Sequence, residues 1–347
     1  MKWLLLLLVA LSTAANASAD DGVPPPPAHG PQNTLRVSCH AAMAEVAHAW
    51  LRGFAAAHPQ VRVQLQIVGS DAAMAQLYTA QTDIALIGRS ASDSELKAFE
   101  WVFRYPPTAY EVMNGSLDQA GRAPAMAILV HRSNPLRQIS LAQLDHLFAR
   151  RNDGSDLSHW SQLGVDPSHR LGAITLYGPK MESGSGRYFR QRVVQSSNRM
   201  QWTRFTEFDE PVLPAGRLDT AAQRAAAALA ADRSGMAIGV LPARDAEVVA
   251  LELVGDDGRA VALNRQSIIN RRYPLSRTIA AYVNQPPDAP LNRDIARFLD
   301  FVLSAPAQDV IELEHGYLPL AAAHLQEQRA RLIQAGASTT PPTGTSP

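Results

Sequence analysis

The sequence predicts an α/β fold of two lobes, the first built on a doubly wound sheet. Three observations carry this reading. At 347 residues the chain exceeds one typical domain of ~100–200 residues. Short apolar runs alternate with segments of helical periodicity between Leu35 and Ile87, the order strand, helix, strand, helix, strand that marks a covered, largely parallel sheet. A later region repeats the device: Ile174-Thr175-Leu176-Tyr177 reads as a strand that leads through Glu182-Ser183-Gly184-Ser185-Gly186-Arg187-Tyr188-Phe189 into a helix.

Met1-Lys2-Trp3, the apolar run Leu4 to Leu11 and Ala17-Ser18-Ala19 before Asp20 have the three parts of an export signal, expected to cover residues 1–19. The run is shorter than the ~20 residues a bilayer span needs. Residues 20–33, with prolines at 24 to 27 and at 31, are expected to be an extended linker. Lys plus Arg number 32 and Asp plus Glu 32, so no field of one sign gathers nucleic acid or an anionic membrane, and any anion site must be local. The single cysteine, Cys39, has no partner for an internal disulfide, which suits a periplasmic address better than a disulfide-dense extracellular one.

Folding is expected to begin with a strand at Leu35-Arg36-Val37. Met43, Val46, Ala47, Trp50, Leu51 and Phe54 then recur at helical spacing, and His58-Pro59 ends that helix. Val61, Val63, Leu65 and Ile67 alternate with polar residues, the pattern of a strand covered on one face. Asp71 begins a second helix with Met74 and Leu77 on its buried side, and Ile84-Ala85-Leu86-Ile87 suits a strand inside a parallel sheet. The loops 38–42, 69–72 and 88–92 then share one sheet edge. Ala125 to Val130 is another strand, and Ser140 with Gln143 has the spacing of a capping box ahead of a helix carrying Leu144, Leu147 and Phe148. An alanine-rich helix follows Asp219 through Ala231, and strands follow at Met236 to Leu241 and Ile279 to Val283. A helix with Ile295, Phe298, Leu299 and Val302 on one face and another from Ala307 to near Gly316 close the folded part; residues 321–347 are expected to be a tail, disordered from Ser338.

Hydroxyl residues alternating with glycines at a helix start let backbone N–H groups and Oγ atoms converge on a small oxyanion, although the same pattern also marks plain turns. Ser183 or Ser185 as a nucleophile would need a partner histidine and an orienting acid, and no Gly-x-Ser-x-Gly elbow occurs. His40 and His48, or His159 and His169, lack metal-ligand spacing. Glu207, Asp209 and Glu210 read as a solvated face, and Arg150-Arg151 and Arg271-Arg272 as surface charges. No nucleotide loop, cofactor motif or metal motif is present. A small anion held between lobes, without catalysis, fits these observations.

Landmarks in order along the chain complete the picture. Gly69-Ser70-Asp71-Ala72-Ala73-Met74, Asp83-Ile84-Ala85-Leu86-Ile87-Gly88-Arg89, Asn134-Pro135 followed by Ile139-Ser140-Leu141-x-Gln143-Leu144, Ser183-Gly184-Ser185-x-x-x-Phe189, Tyr273-Pro274-Leu275-Ser276-Arg277 and Gly316-Tyr317-Leu318-Pro319-Leu320 resemble the periplasmic phosphate-binding proteins of ABC transporters. The resemblance spans roughly Leu35 to Leu320. It implies the class II, Venus-flytrap fold of solute-binding proteins, with residues 34–125 and 278–320 as lobe 1, 126–277 as lobe 2, and crossings near Ala127 to Val130 and near Arg277. It implies a monomer that captures inorganic phosphate, or a similar tetrahedral oxyanion, and hands it to an inner-membrane ABC transporter permease.

Carried over residue by residue, the resemblance implies backbone donors near Ala41 and Ala42, the hydroxyl of Ser70, and donors from Ser183, Gly184 and Ser185, with Ser where the family has Thr. His40 and Ala41 occupy the family's hydroxyl positions in loop one. Gly88 stands where members carry Asp or Ser, and Arg89 matches a Ser-Arg variant. The arginine usual four residues before Ser-Gly-Thr is replaced by Pro179, with Lys180 beside it, so Arg89 or Lys180 is expected to offset the ligand's charge, Arg being better suited by its planar fork. Asp71 reads either as a favourable charge at a helix N-terminus or as a substitute acceptor for the proton of phosphate. An insertion is expected around Asn114 to Arg122. Two other readings stay open: a paralogue with a decayed pocket acting as a signalling or interaction subunit, and a periplasmic phosphatase or esterase.

Overall fold

The structure is a computed structural model that describes residues 33–119, 122–195, 197, 199–209, 220–287 and 289–337. The expected export signal, the proline-rich linker up to residue 32 and the stretch from Ser338 lie outside the described residues.

Strand β1 (Thr34–Cys39) leads through a 3-10 turn at Ala41–Met43 into α1 (Ala44–Ala57). The predicted stripe of Met43, Val46, Ala47, Trp50, Leu51 and Phe54 is buried, and His58 caps the helix end. β2 (Arg62–Ile67) is an edge strand, so its apolar face is only partly covered: Val63 and Leu65 are half-buried and Ile67 is exposed. α2 (Ser70–Tyr78), β3 (Ile84–Ile87), α3 (Asp93–Phe103) and β4 (Thr108–Asn114) follow. After residues 115–126, β5 (Ala127–His131), β6 (Gln138–Ser140) and α4 (Leu141–Phe148) appear, α4 opening on the Ser140–Gln143 capping box. β7 (Thr175–Pro179) runs into α5 (Gly184–Val193); then come β8 (Phe205–Phe208) and α6 (Ala221–Ala230), which Thr220 caps, Asp219 lying outside the described residues. β9 (Gly235–Gly239), β10 (Val248–Ala250), β11 (Glu252–Val254), β12 (Ala260–Val261) and α7 (Arg265–Ile269) complete this part. The chain returns through β13 (Thr278–Val283), α8 (Arg293–Val302), α9 (Ala305–His315) and α10 (Ala322–Ala337).

The first sheet has the order β2-β1-β3-β13-β4, and the second β10-β5-β9-β7-β8; β12, β11 and β6 form a small third sheet. β1 is parallel to β2 and β3, but β13 is antiparallel to β3 and β4. The first sheet is therefore mixed rather than parallel around Ile84–Ile87. The reason is topological: β13 enters from the other lobe across the hinge, without the helical crossover that would bring it in parallel. Its pairing of Ala280 with Ile87 puts the start of β13, and Arg277 just before it, on the edge where β1, β2 and β3 end.

Both faces of β3 are covered, which explains its continuous apolar run. Ile84 and Leu86 face a core shared with Trp50, Phe54, Phe298 and Leu299, while Ala85 and Ile87 face Met74, Leu77 and Phe99. Each such fully buried large side chain contributes about 1.5–3 kcal/mol relative to exposure. The second lobe packs around Phe148, Trp160, Phe189 and Leu229. Residues 322–337, read from the sequence as part of a tail, form α10 on the first lobe: Leu332 and Ala335 join its core and the Gln328 side chain accepts from the Glu111 backbone.

Two hydrogen-bonded segments join the lobes. Gly115 donates its N–H to Arg277 O at 2.8 Å, and Met126 donates to Leu275 O at 3.1 Å. The first crossing thus runs through 115–126, and Ala127 to Val130, expected at the hinge, already belong to β5. Arg122, the last residue of the stretch expected to be an insertion, pairs with Glu45 of α1 in this crossing. Arg271, expected as a surface charge, instead reaches from the second lobe to Glu111 of β4 at 2.7 Å, and His324 of α10 contacts the same carboxylate.

Candidate functional site

Loop one is built on His40. Its Nδ1 accepts the Ala42 N–H at 3.1 Å, the role a serine or threonine oxygen performs at a helix cap. Ala42 is therefore satisfied by the protein: its N–H goes to His40 and its carbonyl accepts from the Tyr317 hydroxyl at 2.5 Å. Ala41 opens the turn, with its N–H at the strand end. His40 is exposed, and partial desolvation, followed by the nearby Arg277 charge, lowers its pKa below the ordinary value.

Loop two begins α2. Gly69 caps it without a side chain, and the half-buried Ser70 makes no hydrogen bond through its hydroxyl among the described residues. Asp71 in the first turn is not an idle helix-terminal charge. It binds Arg89 of its own lobe at 2.5 Å and Arg187 of α5 in the other lobe at 2.7 Å. Burial acts to raise its pKa, but the hydrogen bonds from Arg187 and Arg89 outweigh it and hold the carboxyl below the ordinary aspartate value.

Arg89 is buried but already neutralised. Both its terminal nitrogens reach Glu95, at 2.6 and 2.7 Å, in addition to Asp71. Glu95 in turn completes the capping box of α3 with Ser92. Lys180 is exposed and pairs with Asp209 at 3.2 Å. Neither cation expected from the sequence is thus left over for a ligand.

The second lobe contributes the start of α5. Ser183 caps it, its Oγ accepting the Gly186 N–H at 3.1 Å and its own N–H going to Lys180 O. Gly184 is the first helical residue, exposed, with open space around it. Gly186 is required sterically, since a Cβ there would collide with Lys180 O and Met181 Cα. The Ser185 hydroxyl accepts from a terminal nitrogen of Arg277 at 3.2 Å.

Arg277 is the residue the sequence reading missed as a site group. It lies at the second crossing, buried, with Nε donating to Gly88 O at 3.1 Å in the first lobe and the guanidinium 5.1 Å from the Tyr188 ring of α5. It therefore joins the end of β3 to the N-terminus of α5. Gly88 contributes a carbonyl to this cation, and a Cβ at Gly88 would stand 3.3 Å from the Ala123 methyl, so the 115–126 crossing fills the space a carboxylate there would use. The structure thus brings Gly88 and Ser185 onto Arg277, with Ser183 and Gly184 at the same helix start, places Ala41 and Ser70 just after the ends of β1 and β2, and ties Asp71 to Arg89 and to Arg187 of α5.

These features coincide with a known architecture. Residues 25–306 match the PBP superfamily domain. The chain belongs to the PBP superfamily. It is 30% identical over 284 residues to the phosphate-binding protein PstS of Pseudomonas aeruginosa, covering 81% of each chain. Among solved structures, PstS from Borrelia burgdorferi aligns with a TM-score of 0.58 at 13% identity, covering 83% of this chain and 99% of that one. A phosphate ABC transporter substrate-binding protein of Clostridium perfringens, solved with bound phosphate, aligns with a TM-score of 0.51 at 17% identity, covering 83% of this chain and 100% of that one. Membership of this superfamily places the chain among solute-binding proteins, and the two sheets linked by two crossings are its fold.

Among the described residues no cluster of three or more His, Cys, Asp or Glu side chains could hold a metal ion, and no helix is long and apolar enough to cross a membrane. A separate concavity of about 580 Å³ lies beside α10, lined by Glu111, Arg271, His324, Gln328 and Arg331. Its Arg271 and His324 both engage Glu111, so its charges are largely mutually satisfied.

Proposed function

We propose that the chain captures inorganic phosphate between its two lobes and delivers it to an inner-membrane ABC transporter permease, working as a monomer in the periplasm after removal of residues 1–19. The observation that carries the reading is the position of Arg277. A buried guanidinium stands at the interlobe edge between Gly88 O and Ser185 Oγ, where the helices begun by Ser70 and Gly184 direct their first N–H groups and positive dipole ends. Support also comes from the PstS relative and from the phosphate bound in the Clostridium perfringens protein. In this reading Ser70, Ser183, Gly184, Ser185 and the Ala41 N–H donate to the oxyanion, Arg277 supplies the charge expected of Arg89 or Lys180, and no reaction is catalysed.

The non-catalytic part is supported by the use of the serines. Ser183 Oγ is engaged by the Gly186 N–H and Ser185 Oγ by Arg277, which are not groups that remove a proton from a nucleophile. Isothermal titration of the mature chain with phosphate tests the function. Saturable one-to-one binding, with a rise in Tm that follows RT ln(1 + [L]/Kd), is the expected outcome. No heat and an unchanged Tm with phosphate, arsenate and sulfate alike would remove it in favour of a subunit with a decayed pocket.

A further inference from the structure

The second crossing is gripped by two partners. The carbonyls of Leu275 and Arg277 accept from Met126 and Gly115 of the first crossing, whereas those of Pro274 and Ser276 are taken by α5. Arg192 donates to Pro274 O at 3.1 Å, and the Tyr188 hydroxyl donates to Ser276 O. Ser185, Tyr188 and Arg192 follow one another at steps of three and four residues, so they line one face of α5. That face runs along residues 274–277 and ends on Arg277. The Ser185 hydroxyl accepts from its guanidinium at 3.2 Å, and the guanidinium lies over the Tyr188 ring, 5.1 Å from the centroid.

Tyr188 is suited to hold that cation still. Its ring is 6% exposed and packed in the core of the second lobe, so it does not follow a side chain that moves. A desolvated ring face attracts a guanidinium through its quadrupole more strongly than an exposed one. A long arginine side chain loses rotamer freedom when it engages a ligand, and a cation already held in place loses less of it on binding. The bond to Ser276 O fixes the backbone one residue before Arg277, while the ring fixes its charged head.

We propose that Tyr188 is a positioning residue for the anion site: through its ring face and its bond to Ser276 O it sets the Arg277 guanidinium against the N-terminus of α5, so that the cation and the α5 donors are carried as one unit. This rests on the oxyanion-binding reading above and deepens it, naming a residue that acts through Arg277 rather than a further contact with the ligand.

The test is phosphate titration calorimetry on the mature chain with the ring altered in steps. Tyr188→Leu removes ring and hydroxyl and is expected to weaken binding by about 3- to 30-fold, the range of a desolvated cation–π pair. Tyr188→Phe keeps the ring and loses the bond to Ser276 O, and is expected to fall between parent and leucine variant. Because leucine also opens a cavity in the core, mono-, di- and trifluorinated phenylalanines at position 188 carry the decision: they keep the shape of the ring and drain the negative potential of its face. Affinity is expected to fall stepwise along that series. Equal affinity throughout it, in a protein whose parent binds phosphate, overturns the proposal and leaves the proposed function standing. In an Arg277→Gln background the series is expected to be flat, and the same stepwise fall there would show that the ring acts on the fold and not through the cation. A parent that does not bind phosphate removes both the proposed function and this role.

Discussion

Replacing Arg277 by glutamine removes a buried cation that touches both lobes, and the expected loss can be worked from its contacts. A hydrogen bond to a charged partner contributes about 1.5–3 kcal/mol net, so phosphate affinity should fall by roughly tenfold to 150-fold. Two further contacts vanish with the guanidinium, those to Gly88 O at 3.1 Å and Ser185 Oγ at 3.2 Å, so the unliganded Tm should fall as well. Titration calorimetry reads the first effect, while thermal melting and circular dichroism without anion read the second. Arg277→Lys keeps the charge but loses the planar fork and should fall between parent and glutamine variant. Lys180→Gln is the control: Lys180 is exposed and paired with Asp209, so its loss should change affinity less than about twofold. An Arg277→Gln protein that binds phosphate as tightly as the parent, or a Lys180→Gln protein with the larger loss, would refute this assignment of the cation.

Three other outcomes are expected. Arg187→Gln removes the Asp71 contact between lobes; because both groups are partly exposed, the pair is worth about 0.2–1 kcal/mol, and phosphate affinity should weaken by only about 1.4- to 5-fold, a difference that high salt erases in calorimetry. Gly186→Ala forces a methyl into Lys180 O and Met181 Cα, and urea unfolding should show a loss of about 1–3 kcal/mol, with the α5 donors displaced and binding impaired. His40 has its folded pKa below the ordinary 6.5, so the unfolded chain binds more protons as pH falls through that value; the stability it contributes is present above the ordinary pKa and lost on acidification. The parent's Tm should therefore fall more steeply from about pH 7 to about pH 5 than that of His40→Asn, and parallel slopes would contradict this.

The strands and helices were legible wherever burial is one-sided or complete. The stripe from Met43 to Phe54 and the run Ile84–Ile87 are patterns that a sheet covered by helices imposes on a chain. α10 was hidden because its neighbours Gln326, Gln328, Arg329 and Arg331 leave Leu332 and Ala335 too isolated to form a stripe. That Ser70, Ser183, Gly184 and Ser185 stand at helix starts was readable because a helix start is a local device. Arg277 was not, because its role depends on Gly88, 189 residues earlier, and Ser185, 92 residues earlier. The partners of Asp71 and Arg89 were hidden for the same reason: adjacency to a serine or a strand end says nothing of the arginine or glutamate that pairs with each of them.

The two hydrogen-bonded crossings have a kinetic consequence. Gly115 bonded to Arg277 and Met126 bonded to Leu275 make a double-stranded pivot, stiffer against twisting than a single strand. Lobes carried on it separate along one path and return to one geometry. In the proposed function, an anion enclosed between them is expected to leave at a rate set by how often that path is travelled, rather than by the strength of any one contact with it. The Asp71–Arg187 pair spans the same two lobes, so their separation also breaks a contact within the protein.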